Sequence, residues 1–123
     1  MEGVAFNSRA ALGIVEKFME CQFKSLRIAG GGALSDVWSQ AYADIFKIPI
    51  LQMEDPVHVT CRGAALIGLV RMGYLSQDEI PDRVKDRKTF EPNEANYAMY
   101  DKLFEQFNLI LKANRKIFNS LNG

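Results

Sequence analysis

Three consecutive glycines, Gly30-Gly31-Gly32, stand between an apolar run, Leu26-Arg27-Ile28-Ala29, and a helical pattern that begins at Ser35. Without a Cβ, a backbone can approach a flat or charged group closely and can adopt positive φ. Ser35 suits the N-cap position of the helix that follows, and Asp36 suits the positive end of its dipole. Main-chain N–H groups aimed outward at such a helix start can meet phosphate oxygens. The chemistry on offer is therefore the holding of an anionic or planar ligand against bare main chain. A tight structural turn is the competing reading of the same three residues. The spacing is neither G-x-G-x-x-G nor G-x-x-x-x-G-K-[ST], and no lysine follows to reach a phosphate.

Other residues with chemical potential are fewer. Asp36, Gln40 and Asp44 are spaced i, i+4, i+8 and share one helix face. They could line a magnesium or ribose site, but a polar stripe facing solvent or a partner lobe is the plainer account. Lys47, three residues after Asp44, is placed to pair with it. His58 has no carboxylate or serine partner in a recognisable pattern, so no catalytic role is assigned to it. Cys61, at a predicted helix start, could have a lowered pKa, but a small buried apolar role is preferred. Two cysteines and one histidine are too few soft ligands for a metal site or a disulfide framework. Both thiols are read as reduced, in a cytoplasmic protein.

These residues need elements to hold them. Residues 2–20 read as an amphipathic helix with Ala5, Ala11, Leu12, Val15, Phe18 and Met19 on its apolar side. Residues 25–29 read as a strand, 35–46 as a helix with Val37, Trp38, Ala41 and Ile45 as its stripe, and 48–53 as a second strand begun at Pro49. Thr60 is the expected cap of a helix over 61–72, closed by Gly73. Ala64 and Gly68 would let that helix pack closely on the sheet. Ser76 and Glu79 have capping-box spacing for a short helical turn limited by Pro81. Residues 83–91 read as loop. From Glu94 to Ser120 runs a long helix whose Tyr97, Tyr100, Phe104, Phe107, Leu111, Phe118 and Leu121 form a seam interrupted by Asn114. Trp38 is read as core, and the aromatic seam as a docking face.

The alternation predicts an α/β fold, with helices packed on a small parallel sheet and a long C-terminal helix added. The expected organisation is one domain over 1–123, divided into an α/β core, 1–90, and the C-terminal helix, 91–121. Two strands make a thin sheet, and Met1-Glu2-Gly3-Val4-Ala5-Phe6 already reads as the inside of an element, so the chain looks like part of a larger protein. Lys plus Arg and Asp plus Glu are 15 each, which gives no basic field for nucleic acid or anionic lipid. No apolar run reaches the ~18 residues of a membrane span, and the N-terminus lacks the order of a signal peptide.

The whole stretch Leu26-Arg27-Ile28-Ala29-Gly30-Gly31-Gly32-Ala33, with Ser35, Trp38, Gln40 and Ala43-Asp44-Ile45, resembles the C-terminal domain of the FGGY carbohydrate kinases. Glu2-Gly3-Val4-Ala5-Phe6 is similar to the helix that precedes the family's glycine loop. Arg62-Gly63-Ala64-Ala65-Leu66 resembles its later G-A-A helix. Phe90-Glu91-Pro92-Asn93 and the terminal helix look most like xylulokinase members. The resemblance implies the ribonuclease-H-like core of the actin and hexokinase ATPase superfamily. It also implies a second-lobe adenosine loop, in which Gly31 and Gly32 lie against nucleotide, with Ala33 and Ser35 at the pocket edge. ATP with Mg²⁺ is the implied cofactor pair and a sugar hydroxyl the implied acceptor; apart from the resemblance, the aromatic seam and exposed strand edges could join two copies in a homodimer. The phosphate loop, sugar site and catalytic aspartate of the family match nothing here, so no catalytic or metal-binding residue is assigned and the chain alone is expected to be inactive. Two alternatives stay open: a non-catalytic binding or assembly module, and a gluconate, glycerol or ribulose kinase of the same family.

Overall fold

The computed structural model describes residues 2–121. Its elements are α1 (Glu2–Met19), β1 (Leu26–Ile28), α2 (Asp36–Phe46), β2 (Ile50–Met53), α3 (Val59–Arg71), β3 (Asp86–Phe90) and α4 (Tyr97–Leu121), with single 3₁₀ turns between several of them. The fold is α/β, as expected, and the sheet has three strands in the order β1-β2-β3. β1 and β2 are parallel, with Leu26 opposite Ile50 and Ile28 opposite Gln52. β3 runs antiparallel to β2, with Phe90 opposite Ile50 and Lys88 opposite Gln52. The sheet is therefore mixed rather than parallel, and part of the stretch expected as loop is a strand. Asp-Arg-Lys-Thr-Phe lacks an apolar alternation because every residue but Phe90 is exposed. Charged side chains of this kind protect a sheet edge from pairing with another chain. On β1, Arg27 reaches across to Asp86 with two hydrogen bonds, 2.8 and 2.9 Å, and ties the two outer strands together.

Two apolar clusters meet on α2. Ala43, Ile50 and Phe90 join the helix to the sheet, with Leu26, Ile28, Tyr42 and Phe46 against them. Ala5, Phe6, Ile45 and Tyr100 join it to α1 and α4. Phe6 is ringed by Tyr100, Phe104 and Phe107 at 6.2, 6.1 and 5.8 Å between centroids. The face of α1 that packs is that of Ala5, Phe6 and Arg9. Val15, Phe18 and Met19, read as the buried stripe, are exposed. Arg9 instead lies over the Phe104 ring and donates to Asp101 at 3.0 Å. α2 ends at Lys47, which sits in the left-handed region at φ 61°. Its ammonium pairs with Asp101 at 2.6 Å and not with Asp44.

α3 departs furthest from expectation. Its helical span begins at Val59, preceded by the turn Pro56–His58, so Thr60 lies inside the helix and caps nothing. No residue of α3 is buried. Gly63 and Gly68 have nothing within 4 Å of where a Cβ would stand, so the smooth face does not pack on this sheet. The Ser76 turn does form as read: the Ser76 N–H donates to the Glu79 carboxylate at 2.8 Å.

Candidate functional site

The glycine loop leaves the C-terminal end of β1, where open α/β sheets place their ligands. Gly30 has φ 88°, which a side chain would oppose. Its N–H donates to the Pro56 carbonyl at 2.7 Å, which fixes the loop against the turn after β2. Gly31–Leu34 then form one 3₁₀ turn, closed by the Ala33 N–H to the Gly30 carbonyl at 3.0 Å and the Ser35 N–H to the Gly32 carbonyl at 3.2 Å. Ser35 is the N-cap of α2, its hydroxyl accepting from the Trp38 N–H at 3.3 Å.

The structure gives the four predicted residues different surroundings. Gly31 is exposed, and a Cβ there would meet nothing within 4 Å. Gly32 is bare because Trp38 lies on it: a Cβ would stand 2.0 Å from the ring. Ala33 is wholly buried, and its carbonyl accepts from the Gln52 side-chain amide. Ser35 is half-buried at the rim. Trp38 is itself half-buried, stacked edge-on with Tyr42 at 6.1 Å.

Of the polar stripe on α2, Asp36 pairs with Lys88 at 2.8 Å, and that ion-paired hydrogen bond holds its carboxyl below the usual range. Asp44 is only 2% exposed and faces inward. It accepts from Gln40 Nε2 at 2.8 Å, the Asn93 N–H at 2.8 Å and Asn96 Nδ2 at 2.7 Å. Those donors anchor the start of α4 to α2, so the Asp44 end of the stripe is an internal clamp, while Asp36 at the other end is exposed. A cavity of about 630 Å³ opens beside it, lined among others by Val37, Trp38, Ala41 and Tyr100. None of Gly31, Gly32, Ala33 or Ser35 lines it.

His58 does have a carboxylate partner, Asp55, at 2.9 Å through Nδ1, but the pair is exposed. Asp55 adopts φ 46°, a turn conformation that sequence spacing does not reveal. Cys61 is exposed rather than buried, as is Cys21. Among the described residues no group of three His, Cys, Asp or Glu side chains could hold a metal ion. Nor is any helix there long and apolar enough to cross a membrane.

The profile described as "FGGY family of carbohydrate kinases, C-terminal domain" matches residues 1–72. The chain belongs to the FGGY family of carbohydrate kinases. A glycerol kinase of Deinococcus radiodurans is 32% identical over 93 residues, which are 75% of this chain and 18% of that protein. A xylulose kinase of Staphylococcus epidermidis is 25% identical over 119 residues, 95% of this chain and 24% of the relative. The crystal structure of a ligand-bound xylulose kinase from Lactobacillus acidophilus superposes with a TM-score of 0.80 at 24% identity, covering 98% of this chain and 24% of that one. That likeness bears on fold. The chain thus spans about a fifth to a quarter of the FGGY proteins it matches. Within the FGGY match fall the glycine loop, all of α2 and α3 as far as its last residue.

Proposed function

We propose that this chain forms the nucleotide-facing wall of an ATP-dependent sugar kinase. A preceding lobe would supply the phosphate loop, the sugar site and the base. In the complete enzyme the γ-phosphoryl group passes from ATP to a sugar hydroxyl, ADP leaves, and the hydroxyl proton goes to that base. The observation that carries the reading is Gly31, exposed and unobstructed at the end of a strand, in a chain of the FGGY family. The nucleotide would rest on the main chain at Gly31 and on Ser35, while Gly32 and Ala33 keep the turn's shape. Mg²⁺ would arrive on the nucleotide's phosphates, as the described residues offer no group of three His, Cys, Asp or Glu side chains for it.

The acceptor we favour is a ketopentose, as in xylulose kinases, on the strength of the Phe90–Asn93 segment and the terminal helix. A glycerol or gluconate acceptor is the same chemistry with a different cup, and the cup lies outside this chain. We place the protein in the cytoplasm, where ATP and sugar substrates meet, and treat residues 1–90 and 91–121 as core and appended helix of one domain. A phosphotransfer assay compares the 123-residue chain with a protein that also carries the N-terminal kinase lobe, using ATP with D-xylulose, gluconate and glycerol. Turnover is expected from the longer protein alone, fastest with xylulose; turnover by the 123-residue chain would overturn the division of labour.

A further inference from the structure

Under the glycine loop lies a polar side chain that takes no part in the reading above. Gln52 is on the middle strand, two residues from Ile50, so both point to the same face of the sheet. Ile50 packs there against Ala43 and Phe90. An apolar residue is the default at such a position, yet Gln52 is 0% exposed. A buried amide is costly unless it is hydrogen-bonded, so its bonds define its use. Its Nε2 donates to the Ala33 carbonyl, inside the glycine turn, and to Asp36 Oδ1 at 3.3 Å, at the first residue of α2. Asp36 Oδ2 in turn accepts from Lys88 Nζ at 2.8 Å. Lys88 is opposite Gln52 in the β2–β3 register. One amide thus ties the loop and the helix start to the central strand, with the neighbouring strand holding the far side of the same carboxylate.

The loop is then fixed at two points. Pro56 takes the Gly30 N–H, and Gln52 holds the Ala33 carbonyl. Gly31 lies between them, exposed. We propose that Gln52 is a positioning residue for nucleotide binding, holding the Gly31–Ser35 turn in the shape that presents Gly31 main chain to the ligand. The proposal rests on the nucleotide reading for its consequence, though not for its geometry. Gln52 touches no ligand itself. It acts through Ala33 and Asp36, and a mobile turn would have to be ordered again at each binding event, at a cost in affinity.

Site-resolved amide exchange on the 123-residue chain, with and without ADP, separates these ideas. Gln52→Met keeps the buried volume and removes both donors. Exchange at Ala33, Leu34 and Ser35 should rise about tenfold and ADP affinity should fall by a similar factor, as expected for losing the bonds of one buried amide. Exchange in the cores of α1 and α4 should stay at wild-type rates, which a general loss of stability would not allow. Asp36→Ala, an exposed change that removes one of the two acceptors, should raise exchange at the same amides by less, and it decides the matter should the Met variant fail to fold. Unchanged exchange at the turn in the variants that fold, or an equal rise along the whole chain, would overturn the proposal. A wild-type chain whose turn gains no protection from ADP defeats the nucleotide reading instead, and the role of Gln52 in holding the turn is still judged by the exchange rates without ligand.

Discussion

A methyl group at Gly32 would stand 2.0 Å from the Trp38 ring, whereas one at Gly31 would meet nothing within 4 Å. Adjacent glycines therefore serve different ends, and two substitutions separate them. Gly32→Ala must displace the indole and should cost about 1–3 kcal/mol, the range for overpacking, read as a lower thermal midpoint and a shifted emission from Trp38, the single tryptophan. Gly31→Ala should leave the unfolding free energy within about 0.5 kcal/mol of wild type, as ordinary surface changes do, because its backbone is not in the positive-φ region and its surroundings are open. The triplet's place at the end of a strand was legible in the sequence, as were the Ser35 cap and the Ser76–Glu79 turn, because each depends on neighbours a few positions away. The clash that a side chain at Gly32 would meet was not, since it requires knowing how an indole six residues on folds back over the loop. The His58–Asp55 contact escaped for a similar reason, through a left-handed residue at Asp55.

Among the elements, α4 is held at its start by part-buried hydrogen bonds to Asp44 and then by aromatic packing. Asp44→Ala would strip three donors, from Gln40, Asn93 and Asn96, of their common acceptor. Losing hydrogen bonds to a buried carboxylate costs about 1–3 kcal/mol, and the loss should appear in urea denaturation as a lower midpoint, with faster amide exchange at the start of α4. A second tie is electrostatic. Asp101 takes Lys47 at 2.6 Å and Arg9 at 3.0 Å, and the hydrogen bond from Lys47 above all, then that from Arg9, hold its carboxyl below the ordinary 3.8. A depressed folded-state value means the stabilisation is present above the unfolded value and is lost as pH falls from there through the folded one. Partial exposure screens the pairs, so Asp101→Asn should lessen the acid-induced loss of stability by no more than about 1 kcal/mol, with little change in the cores of the other helices. Helices and parallel strands announced themselves through apolar periodicity. β3 did not, because Asp86 to Thr89 are exposed polar residues with no apolar alternation, paired through the backbone and, at Asp86 and Lys88, through ion pairs.

At the scale of the molecule, the chain exposes 8823 Å², where a compact folded protein of 13.9 kDa exposes about 6,700 Å². The excess is apolar in part: Phe18 on α1, Ile67 on α3 and Tyr74 just beyond it are 87%, 64% and 77% exposed. α3 buries nothing, and β1 pairs on one side only. From its sequence, Phe18 belongs to the apolar side of α1, and Ala64 and Gly68 let α3 pack on the sheet; here Phe18 is exposed and no residue of α3 is buried. The same surface should make the isolated chain associate with itself, which sedimentation at rising concentration would register as growth beyond 13.9 kDa. Ile67→Lys should reduce that growth without lowering helix content.

The central claim is that bare main chain at Gly31 receives a purine nucleotide. Titrating the 123-residue chain with ADP, followed through Trp38 emission and by amide exchange at the turn, tests it most directly when wild type and Gly31→Ala are compared at matched stability. Weak but saturable binding by wild type, reduced about tenfold or more by the added methyl group, is the expected result, the size of a lost close contact of about 1.4 kcal/mol. Equal affinity in the two proteins would contradict the claim.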